Sequence, residues 1–300
     1  MRIAVTGAFS YSGKYITKRL LERAEEVVTL TNHPNRPDPF GGKVKAFPMG
    51  FDNETQLITS LQGVDVLVNT YWVRFDKGDN TQPKAVENTG KLVNAAVKAG
   101  VKRIVHISIT NPSADSHLPY FWGKAANEKF VTGSGMSYTI LRPTVLFGKE
   151  DILINNIAWL LRRFPAFGLP GDGSYKLSPV YVDDLAALAV EAVYSRENYI
   201  WDAVGPDEFT FKEMVKLIGG TVGRTPLLIP LPPRLALLAA QFLSLFVKDV
   251  MLTPEEVDGL MANLLISKES PRCKTSLRTW LAEHRTTVGM KYASELARHF

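Results

Sequence analysis

Short runs rich in β-branched residues alternate with stretches of helical periodicity through the first half of the chain, the pattern that a parallel sheet covered by helices requires. Strands are expected over 3–5, 26–30, 44–47, 64–68, 103–108 and 138–141. Between them the apolar positions fall three and four apart. Ile16, Leu20 and Leu21 line one face of a helix over 13–23, and Val86, Leu92, Val93 and Ala96 line one over 83–99. Six strands with intervening helices point to an α/β fold, a doubly wound parallel sheet. Beyond Gly148 the pattern turns helical and irregular, with Thr210 and Glu213, and again Thr253 and Glu256, spaced as capping boxes. The expected division is a sheet domain over 1–148 and a smaller, mostly helical part over 149–300, interleaved with the sheet near 176–205.

An apolar content of 45% with 22% charged residues is ordinary globular composition. The single cysteine, Cys273, has no internal disulfide partner, and the five histidines (His33, His106, His117, His284, His299) show no metal-ligand spacing, so no metal is expected. A reducing, cytoplasmic setting fits this cysteine usage, and the first residues run into a strand with no room for a signal sequence. Net charge is +5 with a pI near 9.1, which suits an anionic ligand. Lys and Arg are scattered instead of gathered with aromatics, which argues against nucleic acid as a partner. The longest apolar helical stretch, 232–249, is too short to span a bilayer. Three readings of it stand: a buried helix, a partner or membrane-surface contact that would make the protein membrane-associated, or the wall of a site for an apolar substrate.

After the first strand, Thr6, Gly7, Ser10, Tyr11, Ser12 and Gly13 form a loop that opens the first helix. In such a loop the glycines permit a tight turn, and backbone N–H groups at the helix start face a pyrophosphate. The loop resembles the Thr-Gly-x-x-Gly-x-x-Gly signature of extended and atypical short-chain dehydrogenases/reductases, the NAD-dependent epimerase/dehydratase family. Gly7 and Gly13 match its outer glycines, and Ser10 stands in place of the middle one. The resemblance extends through Asn88, the strand after Gly100, the stretch 141–148 and the stretch 180–185, and so covers about residues 1 to 190. It implies a Rossmann-like fold binding NADP or NAD. The second strand ends without the acidic residue that would hold a ribose 2′-hydroxyl, whereas Asn32 and Arg36 follow it, which favours NADP over NAD. Asn69 and Thr70, at the end of the fourth strand, and Pro143, which corresponds to a position near the nicotinamide in relatives, complete the candidate cofactor set.

Tyr120 and Lys124 have the Tyr-x-x-x-Lys spacing of the same family, which puts both on one helix face. A phenol is a weak acid near neutral pH, and a neighbouring ammonium lowers its pKa by favouring the anion. The resemblance implies that Tyr120 moves the proton, that Lys124 also holds the nicotinamide ribose, and that Thr110, or failing it Ser108, orients the substrate oxygen. The adjacent Asp183 and Asp184 receive no catalytic role.

Two functions follow. One is an NAD(P)-dependent oxidoreductase, or an epimerase or dehydratase, acting on a small-molecule substrate such as a nucleotide sugar or an apolar carbonyl or quinone. The other is a non-catalytic NAD(P)H-binding assembly or redox-sensing protein, similar to the NAD(P)-binding accessory subunit of complex I or to NmrA-like proteins. Family members pair through two helices, so a homodimer through 83–99 and 120–132 is a further expectation.

Overall fold

The computed structural model describes residues 1–33 and 36–296. In chain order the elements are β1 (Arg2–Thr6), α1 (Tyr11–Glu22), β2 (Glu26–Thr31), β3 (Lys45–Pro48), α2 (Glu54–Leu61), β4 (Val66–Asn69), α3 (Gln82–Lys98), β5 (Arg103–Ile107), α4 (Pro119–Thr132) and β6 (Ser137–Pro143). They continue with β7 (Leu146–Phe147), α5 (Leu153–Arg163), β8 (Ala166–Pro170), β9 (Lys176–Leu177), β10 (Val180–Tyr181), α6 (Val182–Tyr194) and β11 (Tyr199–Ala203). Last come β12 (Phe209–Thr210), α7 (Phe211–Thr221), β13 (Leu227–Leu231), α8 (Pro233–Val247), α9 (Pro254–Met261) and α10 (Leu277–Glu283).

The chain forms two compact units, and the first comprises Met1–Pro143 with Val182–Ala203. Its seven-stranded sheet runs β11-β6-β5-β4-β1-β2-β3 with every neighbouring pair parallel. Strand order therefore reverses beside β1, where such sheets open a crevice at their carboxyl ends. On one face Ala4, Leu30, Leu67, Ile104 and Ile140 from five strands pack under Leu92 and Ala96 of α3. Against the other face lie α1 and α6, joined by a two-pronged bond in which Arg19 Nε and Nη2 donate to the Asp183 carboxylate at 2.7 and 2.9 Å. Asp183 thus ties the two helices together.

Two sheet features differ from the sequence expectation. The fourth strand starts at Val66 because Val64 closes a turn onto the Leu61 carbonyl and the Asp65 carboxylate accepts the Arg2 N–H at 3.0 Å. A seventh strand, β11, lies at the sheet edge, where Ile200 and its neighbours are only partly covered and leave no alternating signature.

The second unit comprises Thr144–Tyr181 and the chain from Val204 onward. Its core gathers Phe147, Ile157, Leu161, Phe209, Met214 and Trp280. Three short strand pairs accompany its helices: β7 with β10, β9 with β12, and β8 with β13. Both anticipated capping boxes form, Thr210 with Glu213 and Thr253 with Glu256. The reading of 232–249 as a buried helix is overturned. Of α8 only Ala236 is buried; the helix packs on β8 and β13, a two-stranded ribbon that covers one side of it. Among the described residues no helix is long and apolar enough to cross a membrane, and no group of three His, Cys, Asp or Glu residues could hold a metal ion; His299 lies outside them.

Arg103 locks the sheet to its return segment. Its buried guanidinium donates to the Ala192 carbonyl at 2.8 Å, to Ser137 Oγ at 3.1 Å, to Thr139 Oγ1 at 2.5 Å and to the Glu197 carbonyl at 3.2 Å. Arg103→Met strands these acceptors in the interior, so the variant is expected to lose about 2–3 kcal/mol in chemical denaturation. A loss under about 0.5 kcal/mol would show that water replaces the guanidinium.

Candidate functional site

The glycine loop is closed by its own backbone. Gly7 sits at φ +65°, a left-handed conformation that costs a side chain dearly, and its N–H donates to the Leu30 carbonyl at 3.0 Å. Its carbonyl accepts both the Ser10 N–H at 2.8 Å and the Ser10 hydroxyl at 2.5 Å. The Ser10 hydroxyl is therefore turned into the loop. Gly13 is buried, and a Cβ there would lie 2.8 Å from the Gly7 carbonyl carbon and closer still to its oxygen. Ser10 occupies the N-cap of α1 without a side-chain cap bond, so the half-buried Tyr11 and Ser12 open a helix whose positive end has no capping oxygen and no acid in its first turn.

From this loop a buried chain of hydrogen bonds crosses the carboxyl ends of three strands. Thr70 donates its N–H to Thr6 Oγ1 at 2.7 Å and its hydroxyl to the Thr6 carbonyl at 2.5 Å. Thr6 Oγ1 in turn donates to Asn69 Oδ1 at 3.2 Å, which also takes the Tyr71 N–H at 3.0 Å. Asn69 Nδ2 then donates to His106 Nδ1 at 3.1 Å. With Asn69 Oδ1 committed twice as an acceptor, His106 Nδ1 must accept and the proton sits on Nε2, an assignment that follows from the network. Burial, then the nearby Lys124 charge, pushes His106 down to about 3, so it stays neutral. Asn69 is wholly buried in this network, whereas Thr70 is only partly covered.

Tyr120 and Lys124 lie one turn apart on α4. Lys124 is buried, its Nζ donating to the Ile107 carbonyl at 3.0 Å. The same Nζ stands 4.8 Å from the centroid of the Trp72 ring and 6.0 Å from that of Tyr120, while Trp72 and Tyr120 meet edge to face at 5.6 Å. Trp72 reaches this place because Gly123 has no side chain: a Cβ there would lie 2.5 Å from the indole. Burial pushes Lys124 down to about 7, against a raising influence from Glu128.

The two candidate hydroxyls part company. Ser108 donates to Glu128 Oε1 at 2.6 Å, and Arg142 grips the same carboxylate at 2.9 and 2.5 Å. Thr110 is buried beside Pro143, whose carbonyl accepts its N–H at 3.0 Å, just before Asn111 turns the chain at φ +53°. At the end of β2, Asn32 is exposed and Arg36 half-buried. The sequence reading missed Trp72, Glu128 and Arg142. A glycine on the buried side of a helix, next to the paired lysine, was the available sign that a bulky ring had to fit there.

Two outcomes follow from this geometry. Gly13→Ala should suffice to abolish dinucleotide binding in calorimetric titration while the chain still melts cooperatively, because the methyl drives into the Gly7 peptide; binding within about twofold of wild type would place the ligand elsewhere. Between about pH 7 and 10.5 the unfolded chain holds a proton on Lys124 that the folded chain does not, so this group's contribution to stability rises with pH in that window and is flat below it. Relative to Lys124→Met, wild type should gain about 2 kcal/mol in urea denaturation from about pH 7 to 8.5, and parallel profiles would contradict it.

Over residues 7–158, half of the 300-residue chain, the sequence matches the model of the NAD(P)H-binding family. It is 25% identical over 239 residues to the mitochondrial NADH dehydrogenase (ubiquinone) 1 alpha subcomplex subunit 9 of Arabidopsis thaliana, covering 76% of this chain and 60% of that relative. This chain therefore spans less than two thirds of the relative's length. Among solved structures it is similar to an NADPH-dependent quinone oxidoreductase of Escherichia coli complexed with NADPH, with a TM-score of 0.76 at 20% identity over 94% of this chain and 99% of that one. A nucleoside-diphosphate-sugar epimerase of Staphylococcus aureus aligns with a TM-score of 0.74 at 16% identity, over 94% of this chain and 100% of the other. At such identities the likeness is one of fold. Gly7, Gly13, Tyr120 and Lys124 all fall inside the matched span, and the chain belongs to the NAD(P)H-binding family.

Proposed function

We propose that the chain is an NAD(P)H-dependent oxidoreductase acting on a carbonyl or hydroxyl substrate, with Tyr120 as the proton-transferring group. The observation that carries this reading is the Tyr120–Lys124 pair, set on one face of α4 with the ammonium buried against the carboxyl end of β5. The first unit suits a dinucleotide on independent grounds. The Gly7–Gly13 contact brings the two backbones together with no room for a Cβ at Gly13, and α1 starts without a capping oxygen, so its N-terminal N–H groups and helix dipole favour a pyrophosphate. Asn32 and Arg36 after β2 support NADP, since Thr31 Oγ1 already accepts the His33 N–H at 3.0 Å and no acid stands at the strand end.

When bound, the reduced nicotinamide supplies a hydride. The chain supplies the rest. Tyr120 gives or takes the proton at its hydroxyl, Lys124 favours the phenolate by its charge, and Thr110, at the strand-end position that the family resemblance assigns to this role, orients the substrate oxygen, with Ser108 the fallback. A lysine held near pH 7 changes charge within the working range, so this assistance weakens as pH rises above 7.

A second reading, dinucleotide binding without turnover, is favoured by one observation: the Trp72 ring roofs Lys124, whose ammonium is committed to the Ile107 carbonyl. The likeness to a protein named as a complex I subunit points the same way. NADPH oxidation followed against nucleotide sugars, quinones and apolar carbonyls separates the two. The enzyme reading expects turnover that falls about 10²–10⁴-fold in Tyr120→Phe with dinucleotide affinity unchanged. Equal rates in the variant would remove Tyr120 from the chemistry, and tight NADPH binding with no turnover across the panel would favour the second reading.

A further inference from the structure

α8 carries an apolar stripe that the second unit does not use. Leu235, Leu238, Phe242, Leu245 and Phe246 recur at helical spacing and are 51%, 59%, 61%, 74% and 71% exposed. At 100° per residue they fall within about a quarter of the helix circumference, while the buried Ala236 lies well outside that arc. Phe242 and Phe246 pack edge to face at 5.0 Å, a preformed aromatic pair standing in solvent. Isolated exposed apolar residues need no explanation, but five on one helical stripe make a contiguous patch, which marks an interaction site.

The charges around this stripe decide between its occupants. α8 contains no acidic residue; Arg234 stands exposed at its first turn and Lys248 exposed at its C-cap, and among the described residues neither is in an ion pair. The nearest acid in sequence, Asp249, is buried and committed, accepting from the Tyr292 hydroxyl at 3.0 Å and from the Glu295 and Leu296 N–H groups at 2.8 and 2.9 Å. A second copy docking stripe to stripe antiparallel would set Arg234 against Lys248, and docking parallel would set each cation against itself. Like charges would meet either way, with no acid on the helix to neutralise them. An anionic surface neutralises both ends at once.

We propose that α8 is a membrane-surface helix, its stripe of Leu235, Leu238, Phe242, Leu245 and Phe246 entering the headgroup boundary of a bilayer while Arg234 and Lys248 engage anionic lipid headgroups. Its fifteen residues lie along the surface and do not cross it. None of these side chains belongs to the dinucleotide site, so the inference goes beyond the oxidoreductase reading and fails or stands separately from it.

Sedimentation of the full chain with vesicles of phosphatidylcholine, with and without about a third of phosphatidylglycerol, tests it. Wild type should pellet with the anionic vesicles, weakly with neutral ones, and less as salt is raised. Phe242→Glu combined with Phe246→Glu should abolish pelleting while leaving the melting temperature and NADPH titration unchanged, since both rings are exposed. Arg234→Gln and Lys248→Gln should each weaken binding to the anionic vesicles by about fivefold and leave neutral vesicles unaffected. Protein left in the supernatant with both vesicles would overturn the proposal. So would equal pelleting of wild type and the double glutamate variant, or a dimer in analytical ultracentrifugation that this variant dissociates, which would give the stripe to a second copy.

Discussion

A neutral histidine holds the candidate site together. His106 accepts from Asn69, Asn69 accepts from Thr6, and Thr6 is bonded twice by Thr70, so β1, β4 and β5 stay tied together where their backbone ladders end. The chain works only while His106 Nδ1 carries no proton. Burial secures that, and the Lys124 charge close by reinforces it. Because Thr6 precedes the glycine loop and Ile107 follows His106, the glycine loop and the carbonyl that holds the ammonium share one rigid frame. Positioning on sheet ends in this way is more accurate than positioning on loops.

The cost falls on Lys124. An ammonium sealed under an indole loses its hydration, and one carbonyl with the π faces of Trp72 and Tyr120 replaces water incompletely, which is why its proton is held so loosely. Glu128 would stabilise the charge more, but its two oxygens are taken up by Ser108 and by the fork of Arg142. The helix thus keeps a fully engaged carboxylate one turn beyond an under-solvated base. A group arranged like this is suited to exchanging a proton, not to permanent ion pairing.

The sheet was legible because strands buried on both faces read as β-branched runs, and β1, β2, β4, β5 and β6 all have that character. The edge strand β11 escaped because Tyr199, Trp201 and Asp202 are only half covered there, so burial imposes no pattern on them. In the site, residues whose chemistry is local could be read: glycines that admit a tight turn, and a phenol and an amine four apart. The partners of Lys124 could not, since Trp72 and Ile107 come to it from distant strand ends through the packing of α4 on the sheet. Asn69 shows the opposite limit, its position at a strand end being apparent and its inward bonding depending on a histidine 37 positions later. The long apolar helix could not be decided from sequence because hydrophobicity on nearly every side also suits a core helix, whereas the ribbon beneath α8 covers only one side of it.

The path of the chain between the two units bears on synthesis. The sheet of the first unit is not finished at Pro143; the chain leaves to build β7 to β10 and returns only at Val182. Until residues 182–203 emerge from the ribosome, β6 is an open edge and α1 lacks α6 and the carboxylate that Arg19 grips. The nascent first unit therefore waits, with an adhesive strand exposed, through some sixty residues of translation, on the order of 3–12 s at ordinary elongation rates. A stop or a slow stretch of message just after Pro143 would release a sheet whose open β6 edge can pair with another copy of itself.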